Sequence, residues 1–412
     1  MKQKSSLINL SLLLVILSEI LMIFFEPTGL NFFKIATISL LWFSILVIIQ
    51  NFLKNYKKSS SNYPKFALFI VWLIIFWSII NALRAIIEGQ ESLATTFGNK
   101  YTILALFVPF IVFFPINKLN VTIVNRFLFR SIMIGIVLFV PLSLISYEYS
   151  DLIMLKVIKL ILLPVTLLIT TFDSQVKNKL IIIIAVILLF IVSYDISERA
   201  MLLRILLLVI GLIALKIYKK FNFKWILKFS FLIIFLPTII ISSILTPGEE
   251  NIIEKGINTF DFEDNADTRT FLYLEVFEDL IKNDQLIFGK GANGKYYSPY
   301  FNSQKGSRNY RITVEVGILF ILLKSGLIGL LLYLILIFTS IYYSFFKSNN
   351  LYVKGVGYIL LVYLFLLFVQ NTPDYTFSTL IIWFFIGICL SKEIRNMNDI
   401  EIKSLLLNKQ TS

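Results

Sequence analysis

The sequence predicts an all-α polytopic membrane protein with roughly 12 transmembrane helices and one large extracytoplasmic loop. Three observations lead there. Apolar residues make up 58% of the chain and charged ones only 15%, where soluble domains carry about a quarter charged. Apolar runs of about 20 residues, the length that crosses a hydrocarbon core, recur from end to end. The Lys and Arg residues between those runs collect in alternate connections, as the positive-inside rule requires.

The same features exclude other classes. A formal net charge of +13 suggests nucleic acid at first sight, but the cations lie in short loops between apolar runs and no basic fold or motif accompanies them, so no nucleic-acid partner is expected. The single Cys389 sits in an apolar run, which leaves no disulfide and no thiolate metal cluster within one chain. Histidine is missing altogether, so any catalysis must run on carboxylates, Arg, Lys, Tyr or backbone groups, and neither a metal nor a cofactor is expected. The first apolar run follows Lys2 and Lys4 and ends in Phe24, Phe25 and Glu26 without a small-residue cleavage site, which reads as a retained span.

In chain order the spans fall near 7–25, 31–50, 66–83, 101–117, 128–146, 152–171, 179–194, 200–217 and 226–245, a nine-span region over 1–245. After the large loop, three more near 327–346, 355–371 and 376–391 fill 327–391. With a cytoplasmic N-terminus, the inner connections hold Lys54, Lys57, Lys118, Arg126, Lys177, Lys219, Lys224 and Lys347, and a tail over 392–412 adds Lys392 and Arg395. Outer turns carry Glu26, Glu148, Asp151, Asp195, Glu198 and Asp374 instead. Both termini are therefore expected inside, and the loop over 246–326 outside.

That loop is the one long polar stretch. Asp267 or Thr268 caps a helix expected to run to about Asn283, with Phe271, Leu274, Phe277 and Ile281 at helical spacing, suited to the membrane interface. Gly289-Lys290-Gly291-Ala292-Asn293-Gly294 spells the dinucleotide fingerprint, yet no strand precedes it and no helix opens at its end, so it reads as a tight turn. The apolar run from Ile312 to Phe346 would measure about 52 Å as one helix against a core of about 30 Å. Lys324-Ser325-Gly326 is its natural break, giving a short, partly buried helix over 312–323 and a span from about 327.

Ionisable groups inside a bilayer cost about 2.5–3.5 kcal/mol each, so those that persist face a cavity or a partner. Arg84, Lys156, Lys159, Arg199, Arg204, Lys324 and Glu315 are such groups, although Arg84 and Arg199 also have room to snorkel. On the outer face Arg199, Arg269, Arg308 and Arg311 supply planar, permanently charged donors suited to a diphosphate, or else balance the loop's acids. Tyr296, Tyr297, Tyr300, Phe301 and Tyr310 offer ring faces for sugars, or serve as interfacial aromatics.

Three segments together resemble a known family. Ser197-Glu198-Arg199-Ala200-Met201-Leu202-Leu203 resembles the Ser-x-Arg-Gly/Ala-x-Leu start of a span in the O-antigen polymerase and ligase superfamily. Asp267-Thr268-Arg269, an aromatic-rich helix, and Leu286-Ile287-Phe288-Gly289-Lys290-Gly291 are similar to that family's large outer loop. Leu322-Leu323-Lys324-Ser325-Gly326-Leu327-Ile328-Gly329 resembles its Leu-Leu-x-x-Gly-Leu-Ile-Gly pattern. The matches keep the family's order, while the first seven spans match in hydropathy alone.

The resemblance implies a class C-like, metal-independent glycosyltransferase in the bacterial plasma (inner) membrane. Its donor is a polyprenyl-diphosphate-linked oligosaccharide, and a membrane lipid environment, a chain-length regulator and a flippase are the implied partners. An acceptor hydroxyl attacks the sugar carbon bonded to the diphosphate, which leaves. By that analogy Arg199 and Arg269 are catalytic, holding the diphosphate and offsetting its developing charge; from their charge, position and ring faces Arg204, Arg308, Arg311, Lys324, Tyr296 and Tyr297 are expected to bind substrate. Ligase members carry a His eleven residues before the Gly of Gly-Leu-Ile-Gly, and here that position is Glu315. If burial raises its pKa, Glu315 serves as the base on the acceptor hydroxyl; otherwise it pairs with Lys324 or a loop Arg. The missing His favours a polymerase of surface polysaccharide repeat units over a ligase. A flippase for lipid-linked glycans is the alternative of another class, set back by the concentration of polar chemistry in one loop rather than in two related halves.

Overall fold

A computed structural model describes residues 6–28, 31–56, 59–88, 96, 100–116, 118–145, 161–167, 176–195, 204–209, 211–212, 269–298, 310–369 and 373–407. They are helical almost throughout. The long helices are α1 (Ser6–Thr28), α2 (Asn31–Asn55), α3 (Lys65–Ile87), α4 (Lys100–Phe107), α5 (Lys118–Ile145) and α6 (Val176–Asp195). Later in the chain come α7 (Arg269–Lys282), α8 (Gly317–Phe346), α9 (Leu351–Leu366), α10 (Phe377–Leu390) and α11 (Asp399–Leu407). Among the described residues four helical segments, in α2, α3, α5 and α8, are long and apolar enough to cross a membrane, and shorter apolar helices accompany them. On α3 the side chains of Phe66, Phe69, Phe76 and Leu83 are uncovered by protein, an apolar face that a lipid solvent accommodates and water does not. The expected span over 226–245 lies outside the described residues, as do Lys156 and Lys159.

The expected span over 101–117 is built in two styles. After α4 the chain continues as a 3-10 helix, Val108–Ile116, interrupted by Pro109 and Pro115. Proline removes backbone donors, and the tighter helix rises about 2 Å per residue, so α4 and this segment together reach about 30 Å. Two freed carbonyls are met by side chains: the Tyr63 hydroxyl donates to Val112 O at 2.7 Å and the Asn120 amide to Phe114 O at 2.7 Å. Gly387 of α10 packs directly on Val112 O and Pro115, where no side chain fits.

The buried apolar residues form two clusters. The larger joins α1 to α5 with α8, α9 and α10. The smaller belongs to the loop: Leu272, Val276 and Leu280 of α7 meet Tyr296, Val314 and Leu319 with their neighbours. Helix α7 packs on this core by one face. Its protein-facing stripe is Leu272, Val276 and Leu280, spaced four apart, and Ile281 is left exposed. The helix thus has one apolar stripe for the loop core and further apolar positions outside it.

Helix α8 breaks where expected. Gly326 has φ 64° and ψ −171° inside an otherwise continuous helical run, a conformation confined to glycine. The helix before the break begins at Gly317 rather than at 312. Residues 310–311 pair as strand β2 (Tyr310–Arg311) with β1 (Tyr296–Tyr297), in antiparallel register Tyr296 with Arg311 and Tyr297 with Tyr310, and Val316 is still extended at φ −93° and ψ 120°. That bridge holds the preceding residues out of the helix. Ile318 N, one of the donors a helix start leaves unmet, bonds to Leu367 O at 3.0 Å.

Candidate functional site

The break in α8 is occupied by the loop. Losing the helical path at Gly326 strands backbone groups on both sides, and the 285–294 turn takes them up. Lys290 N donates to Leu323 O at 2.7 Å, while Leu327 N and Ile328 N donate to Leu286 O and Ile287 O at 3.0 and 3.3 Å. Two glycines permit the approach. Gly289 at φ 71° and Gly326 at φ 64° lie backbone against backbone, so a methyl on either meets the other's chain. Gly291 also has a positive φ, 78°. The Gly-Lys-Gly sequence is therefore a turn, in line with the expectation drawn from the lack of a preceding strand.

Helix α3 pins this junction from the side. Arg84 donates through both terminal nitrogens, Nη1 to Phe288 O at 2.9 Å and Nη2 to Gly289 O at 3.1 Å. It also lies 3.5 Å from Glu88. It does not snorkel freely: its fork is spent on two carbonyls of the turn. Two turns of helix away, Trp77 Nε1 donates to Ser325 O at 2.8 Å, another carbonyl released by the break, and its ring lies 6.1 Å from that of Phe288.

Lys324 is buried, 8% exposed, and donates to Gly294 O at 2.6 Å. It lines a cavity of about 120 Å³ shared with α3, α4 and α10. Tyr333 lines the same cavity, and its hydroxyl lies 3.1 Å from that of Tyr363, which in turn is an electrostatic neighbour of Arg204. Lys324 thus shares a cavity with one member of this tyrosine pair, and Arg204 lies near the other.

A second group gathers at the β1–β2 bridge. Arg311 Nη2 lies 3.7 Å from Glu315 Oε1, and the Glu315 side chain is 55% exposed. Burial, the condition on which its use as a base rested, is not met; the pairing with a loop Arg is what the geometry shows. Tyr297 and Tyr310 stand edge to face with centroids 5.7 Å apart, both exposed, so their rings are available to a ligand. Tyr296 is not: it is fully buried in the loop core, with its hydroxyl beside Arg311. Its assignment to stacking on substrate is corrected accordingly. Burial pushes the Tyr296 phenol up to about 12, with Arg311 pulling it down and Glu275 pushing it up. Arg269 opens α7, while Arg199 and Arg308 lie outside the described residues.

The loop carries its own ionic supports. Lys290 Nζ and Asp279 Oδ2 pair at 2.5 Å with both side chains nearly buried, and Ser298 donates to Glu275 at 2.7 Å. Together these tie α7 to the glycine turn and to β1. One ionisable residue escaped the reading of the sequence: Glu19 of α1, whose Oε1 accepts from Phe377 N at 2.5 Å and so caps α10, where a negative charge is favoured. Its signal was available as a lone carboxylate within an apolar run. No protein-family model matches the chain, and no curated protein matches it.

Proposed function

We propose that this protein is a polymerase that joins polyprenyl-diphosphate-linked oligosaccharide repeat units into a surface polysaccharide on the outer face of the bacterial plasma membrane. The observation that carries the reading is the junction just described. Two segments that resemble the superfamily, the Phe-Gly-x-Gly turn and the Leu-Leu-x-x-Gly-Leu-Ile-Gly stretch, interlock through backbone hydrogen bonds although the resemblance was drawn for each from its sequence alone. The junction roots the polar loop at the end of a break in an apolar helix, where a substrate with a lipid tail and a polar glycan meets the protein.

In this reading the chain spans the membrane twelve times with both termini inside. Arg199 and Arg269 hold the diphosphate, a good leaving group whose departure needs positioned charge more than covalent help. The acceptor sugar lies against Tyr297 and Tyr310, and the half-exposed Arg311–Glu315 pair opens to meet its hydroxyls. Glu315 orients the acceptor through that pairing rather than through an elevated basicity.

In cells, Arg199→Ala and Arg269→Ala are expected to lower polymer about 100-fold or more while protein level in the membrane stays normal, leaving single repeat units on the lipid carrier. Long polymer at the normal level from either variant removes that Arg from catalysis. Finished glycan accumulating on the carrier marks a ligase instead. Untouched substrate held on the inner leaflet marks a flippase.

A further inference from the structure

We propose that the cavity between α3, α4 and the broken α8 binds the hydroxyl end of a lipid alcohol. Its volume, about 120 Å³, is comparable to an apolar cavity of about 150 Å³ that takes one benzene, so it admits a chain end of that bulk. Its wall is mostly carbon: Trp77, Ala105, Phe320 and Trp383 contribute much of it. Asn81, Thr102 and Lys324 are among the polar residues that line it. Asn81 Oδ1 and Thr102 Oγ1 are buried with no hydrogen-bond partner among the described residues, on side chains 5% and 3% exposed. Each such orphan is unfavourable unless a ligand or water meets it.

The rest of the polar inventory narrows the occupant. Ser78 and Ser325 donate to Ile74 O and Ile321 O within their own helices, so their protons are spent. Lys324 uses one of its three donors on Gly294 O and has others to offer. A sugar ring brings several hydroxyls, and a mostly carbon wall leaves them unmet. A phosphate brings charge that one lysine does not balance among the described lining residues. One hydroxyl fits: it donates a single proton and accepts two, matching Asn81 as acceptor with Thr102 and Lys324 as donors. It also meets the Asn81 amide in either orientation, by donating to the oxygen or accepting from the nitrogen. The carbon chain behind it lies along Trp77 and Trp383. Polyprenols and monoacylglycerols share this chemistry. The site is separate from the Arg311–Glu315 pair and does not depend on the glycan reaction.

The test uses the purified full chain in detergent, with tryptophan fluorescence quenched by bromohexanol and by bromohexane as the matched control. The expected result is saturable quenching by the alcohol at least tenfold tighter than by the alkane, lost when Trp77 and Trp383 are both changed to Phe. Asn81→Leu and the nearly isosteric Thr102→Val each weaken the alcohol about tenfold, the loss of one hydrogen bond, and leave the alkane unchanged. Ala105→Phe fills the cavity and abolishes the effect. Competition by a polyprenol or by a monoacylglycerol then identifies the natural source. Equal quenching by alcohol and alkane, an unchanged alcohol affinity in folded Thr102→Val, or competition by neither lipid overturns the proposal.

Discussion

Arg84 and Lys324 on one side, and Arg311 and Glu315 on the other, are charged groups around the same broken helix and its loop that have been put to opposite uses. The first two are turned onto backbone carbonyls of the glycine turn, and Lys324 is nearly sealed from its surroundings. The second two face each other across 3.7 Å with Glu315 more than half exposed. A buried cation committed to a carbonyl holds structure, because removing it leaves an unmet acceptor. An exposed pair is worth about 0–1 kcal/mol, so a ligand can separate it at small cost. Lys324 is therefore committed to the junction, while the Arg311–Glu315 pair, its carboxylate more than half exposed, stays adjustable.

Substitutions sharpen that contrast in a fixed order. Gly326→Ala should be the most damaging, because its backbone conformation is restricted to glycine and the added methyl meets Ile287 O and Gly289 N. A loss of more than about 3 kcal/mol is expected, read as a lowered unfolding midpoint in detergent. Lys324→Met should follow at about 2 kcal/mol, since a charged donor is lost from a buried carbonyl; an unchanged midpoint would place that residue with the surface pair instead. Glu315→Gln should shift the midpoint by less than about 0.5 kcal/mol and show its effect in polymer yield alone. Equal polymer from Glu315→Gln and Glu315→Asp would remove the carboxylate from any chemical role.

The loop core offers a pH test of the same division. Tyr296 has a folded-state pKa raised by burial to about 12 from the ordinary value near 10. Above pH 10 the unfolded chain sheds this proton while the folded one keeps it, so stability is present below about pH 10 and falls between about 10 and 12. Tyr296→Phe should remove one late-titrating phenol from the alkaline absorbance curve and flatten that part of the stability loss.

Much of this was legible in order along the chain. The excessive length of the run from Ile312 to Phe346 located the break at Lys324-Ser325-Gly326, because membrane thickness and helix rise are both fixed quantities. The glycine pair at Gly289 and Gly291 read as a turn for want of a strand before it. What stayed hidden depends on register between distant segments. Arg84 and the carbonyls it holds are 204 and 205 residues apart, and nothing local distinguishes such an arginine from one reaching for the interface. Tyr296 and Tyr297 are adjacent and chemically alike, yet a strand alternates its faces, so one is buried and the other open. The cavity is a meeting of four helices and has no signature in any one of them.

The central claim, that the loop rooted in the broken helix joins lipid-linked repeat units, is tested most directly by incubating the purified protein with one polyprenyl-diphosphate-linked oligosaccharide and resolving the lipid-bound products by mass. Carriers bearing two and then more repeat units are expected, with release of free lipid diphosphate, and no such products from Arg269→Ala. Unchanged substrate with the active wild-type chain, or transfer only to an acceptor that is not a repeat unit on the carrier, would contradict it.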